Sequence, residues 1–221
     1  MDQMASSVGG FIEIDFESPE KPIIRSIDYD FAASGHSLCI VDTKGNHADL
    51  TPEYAAIPKE MKSVAEFFGK SELRDITPEQ LMENVGAVRQ SCGDRAVSRA
   101  MHFFDENARV DREASALDSG DFKAFLREVT ASGNSSFKYL QNIFAVSDSR
   151  EQGMVLGLYT AEKLLNGRGA CRVHGGGFAG TIQAFVPNDM LDGFVSGMEK
   201  LFGTGSCYCL YIRPIGGTKI C

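Results

Sequence analysis

No stretch of this 221-residue chain is apolar for long enough to span a bilayer, and its N-terminus lacks the basic-then-apolar order of a secretory signal. Positive charge is scarce: 22 lysines and arginines face 30 aspartates and glutamates, for a formal net charge of -8. That balance argues against nucleic acid or an anionic membrane as partner. It leaves open a phosphate-bearing ligand, which backbone amides can grip locally. The six cysteines contain no C-x-x-C pair, so neither a zinc ribbon nor a dithiol redox motif is expected. Cys39, Cys171, Cys207 and Cys209 sit in apolar, strand-like runs, where a thiol packs as a small hydrophobe. Reduced thiols in a cytoplasmic protein are the expectation. The G-x-S-x-G elbow of serine hydrolases is also missing. Repeats, low-complexity tracts and heptads are missing as well.

What is present describes an ordinary globular chain, 43% hydrophobic and 24% charged, long enough for one good core or two small ones. Residues 1–34 read as a helix end, a strand around Phe11–Phe16, a turn at Pro19 and Pro22, and a strand from Ile23. Phe11, Ile12, Ile14, Phe16, Ile23, Ile24 and Ile27 should then leave an apolar edge that pairs with a second copy of the chain or frays. Ser37–Val41 reads as a short buried strand. The middle is helical: 52–68 carries Ile57, Met61, Val64, Ala65 and Phe68 at helical spacing, and Thr77-Pro78-Glu79-Gln80 is a capped start. On 94–117, Arg95, Arg99, His102, Glu106 and Arg109 share one face. That stripe is either a solvated face with i,i+4 pairs or an ion-pair network under a site. Helices are expected at 121–144, 150–165 and 189–202, and strands at 170–174, 181–186 and 206–212. The last elements give a β-β-α-β order, hence an α+β fold whose antiparallel sheet is covered on one face by a bank of helices.

Between the strands at 170–174 and 181–186 lies Gly175-Gly176-Gly177-Phe178-Ala179-Gly180, four glycines in six residues. Glycine permits positive φ and close approach, so the loop is either plain turn chemistry or the floor of a binding site. Gly175, Gly177 and Gly180 fit G-x-G-x-x-G, but a dinucleotide site needs a helix after the loop, and Thr181–Val186 is β-branched and aromatic.

Four segments in order carry a family resemblance. They are Met1–Gly9 with the strand-like run after it, His47-Ala48-Asp49-Leu50-Thr51-Pro52-Glu53-Tyr54, His102 with Glu106-Asn107-Ala108-Arg109-Val110, and the glycine loop. Together they resemble galactokinases of the GHMP kinase family, and roughly their C-terminal half. No Gly-Leu-Ser-Ser-Ser phosphate loop occurs in these residues. The resemblance implies a tail of the N-terminal kinase domain over 1–34 and a GHMP C-terminal domain over 35–221, built on a ferredoxin-like split β-α-β unit. It implies an ATP-dependent phosphotransferase acting on the anomeric hydroxyl of galactose, with ATP and Mg²⁺ as cofactors. Asp2 matches the family base, Tyr54 the tyrosine beside the sugar, and Gly175, Gly176 and Gly177 the loop behind sugar and phosphates. Taken alone, Asp2 also reads as a solvated terminal aspartate, and Tyr54 as a half-buried tyrosine near a helix start. The chain departs from the family at His174, at Gly133-Asn134, at Ile57-Pro58-Lys59 and at Gly153. Those departures keep two other functions in play, a non-catalytic sugar sensor and a kinase for N-acetylgalactosamine. These residues alone are expected to be inactive.

Overall fold

The computed structural model describes residues 2–45 and 50–217. Helix α1 (Asp2–Val8) leads into a hairpin of β1 (Phe11–Asp15) and β2 (Ile23–Ile27). Strand β3 (His36–Asp42) follows, and then the helices α2 (Thr51–Phe67), α3 (Pro78–Glu83), α4 (Val85–Cys92), α5 (Asp94–Asp118), α6 (Phe122–Ser135) and α7 (Gly153–Leu165). The chain closes through β4 (Ala170–His174), β5 (Thr181–Pro187), α8 (Leu191–Phe202) and β6 (Cys207–Leu210).

The main sheet has the order β4-β5-β3-β6, and all its pairings are antiparallel. Strand β3 comes from far upstream and inserts between β5 and β6, which gives the split β-α-β arrangement expected from the sequence. Alternation along β5 explains the layering. Ile182, Ala184 and Val186 are fully buried and meet Val41, Val173, Phe194 and Met198 in a core with α7 and α8.

The opposite face is not open, which corrects the expectation of a sheet covered on one side. Phe185 and Ala170 pack there against Phe31, Phe122, Phe125 and Val129 from α6 and its surroundings. The Phe185 and Phe125 rings cross at 86° with centroids 5.2 Å apart. Burying one such side chain is worth about 1.5–3 kcal/mol. A third core joins α2 to α5 through Val64, Leu81, Val88 and Ala100. Thr77 caps α3 in a full capping box with Gln80, as its sequence predicts.

Helix α6 ends earlier than its sequence suggests. Regular α geometry stops at Ser135, a wider π turn runs Ser136–Leu140, and Gln141 adopts φ 57°. Periodicity alone could not register that break, because apolar residues continue through Phe144.

Residues 1–34 are not left as a bare edge. β1 and β2 pair with each other from Phe11↔Ile27 to Asp15↔Ile23. Ile27 and Phe31 are buried in the α5–α6 core, with Phe11 packed against them. Ion pairs from Arg74 to Asp15 (2.9 Å) and from Asp118 to Arg25 (2.6 Å) hold the hairpin down. Ile23 and Ile24 remain exposed on its outer side.

Candidate functional site

The glycine loop begins where the β4–β5 ladder ends, at the pair His174↔Thr181. Its course needs left-handed backbone at Gly175, Gly177 and Gly180, with φ of 71°, 87° and 104°. Phe178 also sits at φ 59°, an uncommon conformation for a bulky residue that costs about 1–3 kcal/mol. Its surroundings hold it there. The Phe178 N–H donates to the Asn142 carbonyl, and its ring is nearly buried, edge-on to Tyr54 at 5.2 Å.

Tyr54 lies in the first turns of α2, where Pro52 needs no amide partner. The Tyr54 hydroxyl donates to the Gly177 carbonyl at 2.8 Å. A Cβ on Gly176 would fall 2.7 Å from Tyr54 Cε1, so that glycine is required by close approach. Burial pushes the phenol above its ordinary range. The sequence expectation had this hydroxyl facing a sugar; in the structure its proton is engaged inside the loop, and the ring forms the wall. Pro58, four residues on, has no N–H to offer the Tyr54 carbonyl within the helix.

Three of the loop's carbonyls, those of Gly176, Gly177 and Gly180, are engaged. Gly176 O accepts from Asn142 Nδ2 (3.2 Å), and Gly180 O accepts from the Thr43 N–H (2.8 Å) and Oγ1 (2.7 Å). The N–H groups of Gly175 and Gly176 make no hydrogen bond among the described residues, and both glycines are exposed. The loop therefore presents two exposed donors at Gly175 and Gly176, while three of its acceptors are engaged within the protein. Such a surface suits an oxygen carrying negative charge or a lone pair.

Asn142 and Thr43 were not visible as site residues in the sequence. Asn142 lay inside a stretch read as helix, and only the break at Gln141 turns it toward the loop. It is buried, and its Oδ1 has no partner among the described residues. Two departures from the family pattern have steric reasons here. A Cβ on Gly133 would lie 3.0 Å from Arg172 Cβ, where α6 crosses β4, and one on Gly153 would lie 3.0 Å from the Thr43 carbonyl. His174 is exposed, with Nδ1 3.0 Å from Gln183 Oε1.

The charged face of α5 is a buried network. Arg99 is wholly buried, pairs with Glu60 of α2 at 2.9 Å, and donates Nε to the Leu140 carbonyl at 3.0 Å. It therefore joins the helix that carries Tyr54 to the turn that aims Asn142. One helical turn or more along, His102 meets Ser135 Oγ at 2.9 Å, and Arg109 bridges Glu106 and Glu128 at 2.6 and 3.0 Å. Glu113 completes the cluster, and burial raises its carboxyl to about 7.

Tyr54, Gly175, Gly176 and Gly177 are brought together. Asp2 opens α1, and its side chain lies outside the described residues, as do His47, Ala48 and Asp49 of the second motif. No hydrogen bond among the described residues joins α1 to the loop. The helix is held by residues 213–217: Gly10 N–H donates to Arg213 O (2.8 Å), and Gly217 N–H donates to Ser7 O (2.9 Å). Among the described residues, no cluster of three or more His, Cys, Asp or Glu could hold a metal ion. No helix there is long and apolar enough to cross a membrane.

No family model matches the chain. The galactokinase of Actinobacillus pleuropneumoniae serotype 5b is 30% identical over 195 residues, which is 87% of this chain and 47% of that protein. The galactokinases of Glaesserella parasuis and Haemophilus influenzae are 28% and 27% identical, again over 87% of this chain and 47% of theirs. The chain thus spans about half the length of the curated relatives it matches. Among solved structures, Lactococcus lactis galactokinase complexed with galactose superposes with a TM-score of 0.73 at 20% identity, over 97% of this chain and 53% of that one. L. major mevalonate kinase in complex with R-mevalonate follows, with a TM-score of 0.55 at 13% identity over 98% and 53%. The shared fold is that of GHMP-type kinases.

Proposed function

We propose that this chain, a homologue of galactokinases over 87% of its length with the GHMP kinase fold, is the C-terminal part of an ATP-dependent kinase for the anomeric hydroxyl of galactose. The supporting observation is the glycine loop, with two exposed amides at Gly175 and Gly176, the carbonyls of Gly176, Gly177 and Gly180 engaged within the protein, and Tyr54 as its backing wall.

Phosphoryl transfer to a hydroxyl depends on alignment and charge stabilisation more than on covalent help. ATP, when bound, supplies the phosphoryl group. The Gly175 and Gly176 amides fit a phosphate or hydroxyl oxygen. Tyr54 and Phe178 fix where those amides point, and Asp2 is assigned to take the proton of the attacking hydroxyl. Among the described residues, no cluster of three or more His, Cys, Asp or Glu stands ready to hold Mg²⁺. Residues 1–34 are assigned to the N-terminal kinase domain and 35–221 to the C-terminal domain, with catalysis requiring both in the intact cytoplasmic protein. A coupled assay of full-length protein with ATP, Mg²⁺ and either galactose or N-acetylgalactosamine tests this reading. Formation of galactose 1-phosphate is expected. Galactose binding by calorimetry with no phosphorylation of either sugar would replace the kinase with a sensor.

A further inference from the structure

Three of the cysteines converge on one face of the sheet. Cys39 on the central strand β3 faces Cys209 on β6 in direct register, and Cys207 lies two residues away, opposite Val41. The Sγ atoms of Cys39 and Cys209 are 3.8 Å apart, within hydrogen-bond reach of each other, and the Cys207 thiol lies beside them. Cys39 is completely buried, Cys207 half-buried and Cys209 exposed. A groove between α8 and β6, lined by Val195, Glu199 and Thr204, leads to Cys209.

We propose that Cys209 and Cys39 form a peroxide-responsive dithiol that closes to a disulfide across β3 and β6, a modification site separate from the glycine loop. The reaction has two steps. The Cys209 thiolate attacks one oxygen of a hydroperoxide. The O–O bond breaks, and a sulfenic acid and an alcohol or water form. Cys39 Sγ then attacks the sulfenic sulfur. The S–S bond forms, the S–O bond breaks, and the Cys39 proton leaves with that oxygen as water. Two thiols lose two electrons, and one peroxide gains them. The neighbouring Cys207 thiol and burial together raise the Cys39 thiol, so Cys39 is slow toward peroxide in solution and the exposed partner reacts first. Proximity supports the closing step, because the two sulfurs are already neighbours. Cys207 is held below its ordinary range by the Cys39 thiol beside it, and gives the bridge an adjacent exchange partner for reopening.

The test is chemical and does not depend on sugar turnover. Full-length protein is treated with one equivalent of hydrogen peroxide, alkylated, and digested with trypsin without reduction. A cross-linked pair of peptides 26–44 and 201–219 (trypsin passes over Arg213 before Pro214), lighter by two hydrogens than their sum, is expected to dominate. Cys207→Ser is expected to keep the cross-link and Cys209→Ser to lose it, while Cys92 and Cys171 stay alkylatable in all three proteins. The proposal is overturned if Cys209 goes to sulfinic acid with Cys39 still free, or if Cys209→Ser cross-links as fast as the parent. Cys209 is exposed, so its serine variant should fold; a circular dichroism melt matching the parent checks that.

Discussion

Gly176 and Gly177 look alike in the sequence and are constrained differently. Gly177 needs positive φ, and a Cβ there would lie 2.7 Å from Asn142 Nδ2; Gly176 has ordinary φ, and its obstacle is the Tyr54 ring. Gly175 has positive φ but open space around it. We therefore expect Gly176→Ala to cost about 1–3 kcal/mol by overpacking, and most of that to return in the double variant with Tyr54→Ala. Gly177→Ala should gain nothing from the same partner change. Denaturant melts of the four variants decide the matter, and equal rescue of both glycines would refute the distinction. Asp2→Asn in the full-length protein is expected to lower kcat by about 10²–10⁴-fold with sugar affinity kept, and near-parental kcat would remove Asp2 from the role of base. The loop was legible because glycines in a strand–turn–strand pattern announce themselves. Asn142, Thr43 and the strained Phe178 were not, because nothing local in their sequence encodes what a distant segment presents to them.

Among the elements, α5 shows where periodicity stops being informative. Its apolar and charged stripes were both readable, but an ion-pair stripe has the same spacing whether water or another helix lies over it. The structure selects the buried alternative for Arg99, His102 and Arg109. Removing one partner of such a pair is costly, so Arg99→Ala should destabilise by about 3–5 kcal/mol, read as a shift in urea midpoint. Glu113 gives the same helix a pH signature. Arg172 and Arg109 work to lower its carboxyl, Glu106 and Glu128 to raise it, and burial prevails, taking it from 4.5 to about 7. A raised acid holds its proton in the folded state after the unfolded chain has released it. Its contribution is complete below about pH 4.5 and is lost as pH rises through 7. Stability should fall by about 3 kcal/mol at most across that window, and Glu113→Gln should flatten the fall. An unchanged pH slope in the variant would show the carboxyl titrates normally. The strands and most helices were foreseen closely, since alternation and capping are local signals. The end of α6 and the cover on the second sheet face were not, because both are set by tertiary packing.

For the molecule as a whole, the β1–β2 hairpin, through Phe11 and Ile27, and Phe31 just after it cover the aromatic cluster of Phe122 and Phe125. Deleting residues 1–34 should expose that cluster, lower the melting temperature and promote association, measured by sedimentation velocity. An unchanged melt and a sharp monomer peak would show that the hairpin adds nothing. The intact 221 residues remain open to pairing through Ile23 and Ile24, and sedimentation of the undeleted chain reports whether a dimer forms.

Residues 213–217 grip α1 at Ser6, Ser7 and Gly10, more than two hundred positions upstream; Arg213 Nη2 reaches Ser6 O across a separation of 207. On a ribosome the chain emerges at about 5–20 residues per second, and domains close as their parts appear. Helix α1, which bears the assigned base, is therefore made well before the segment that seats it. A nascent chain halted before position 213 would carry a nearly complete sheet and a loose α1. The clasp thus makes the seating of α1 wait on the synthesis of residues 213–217.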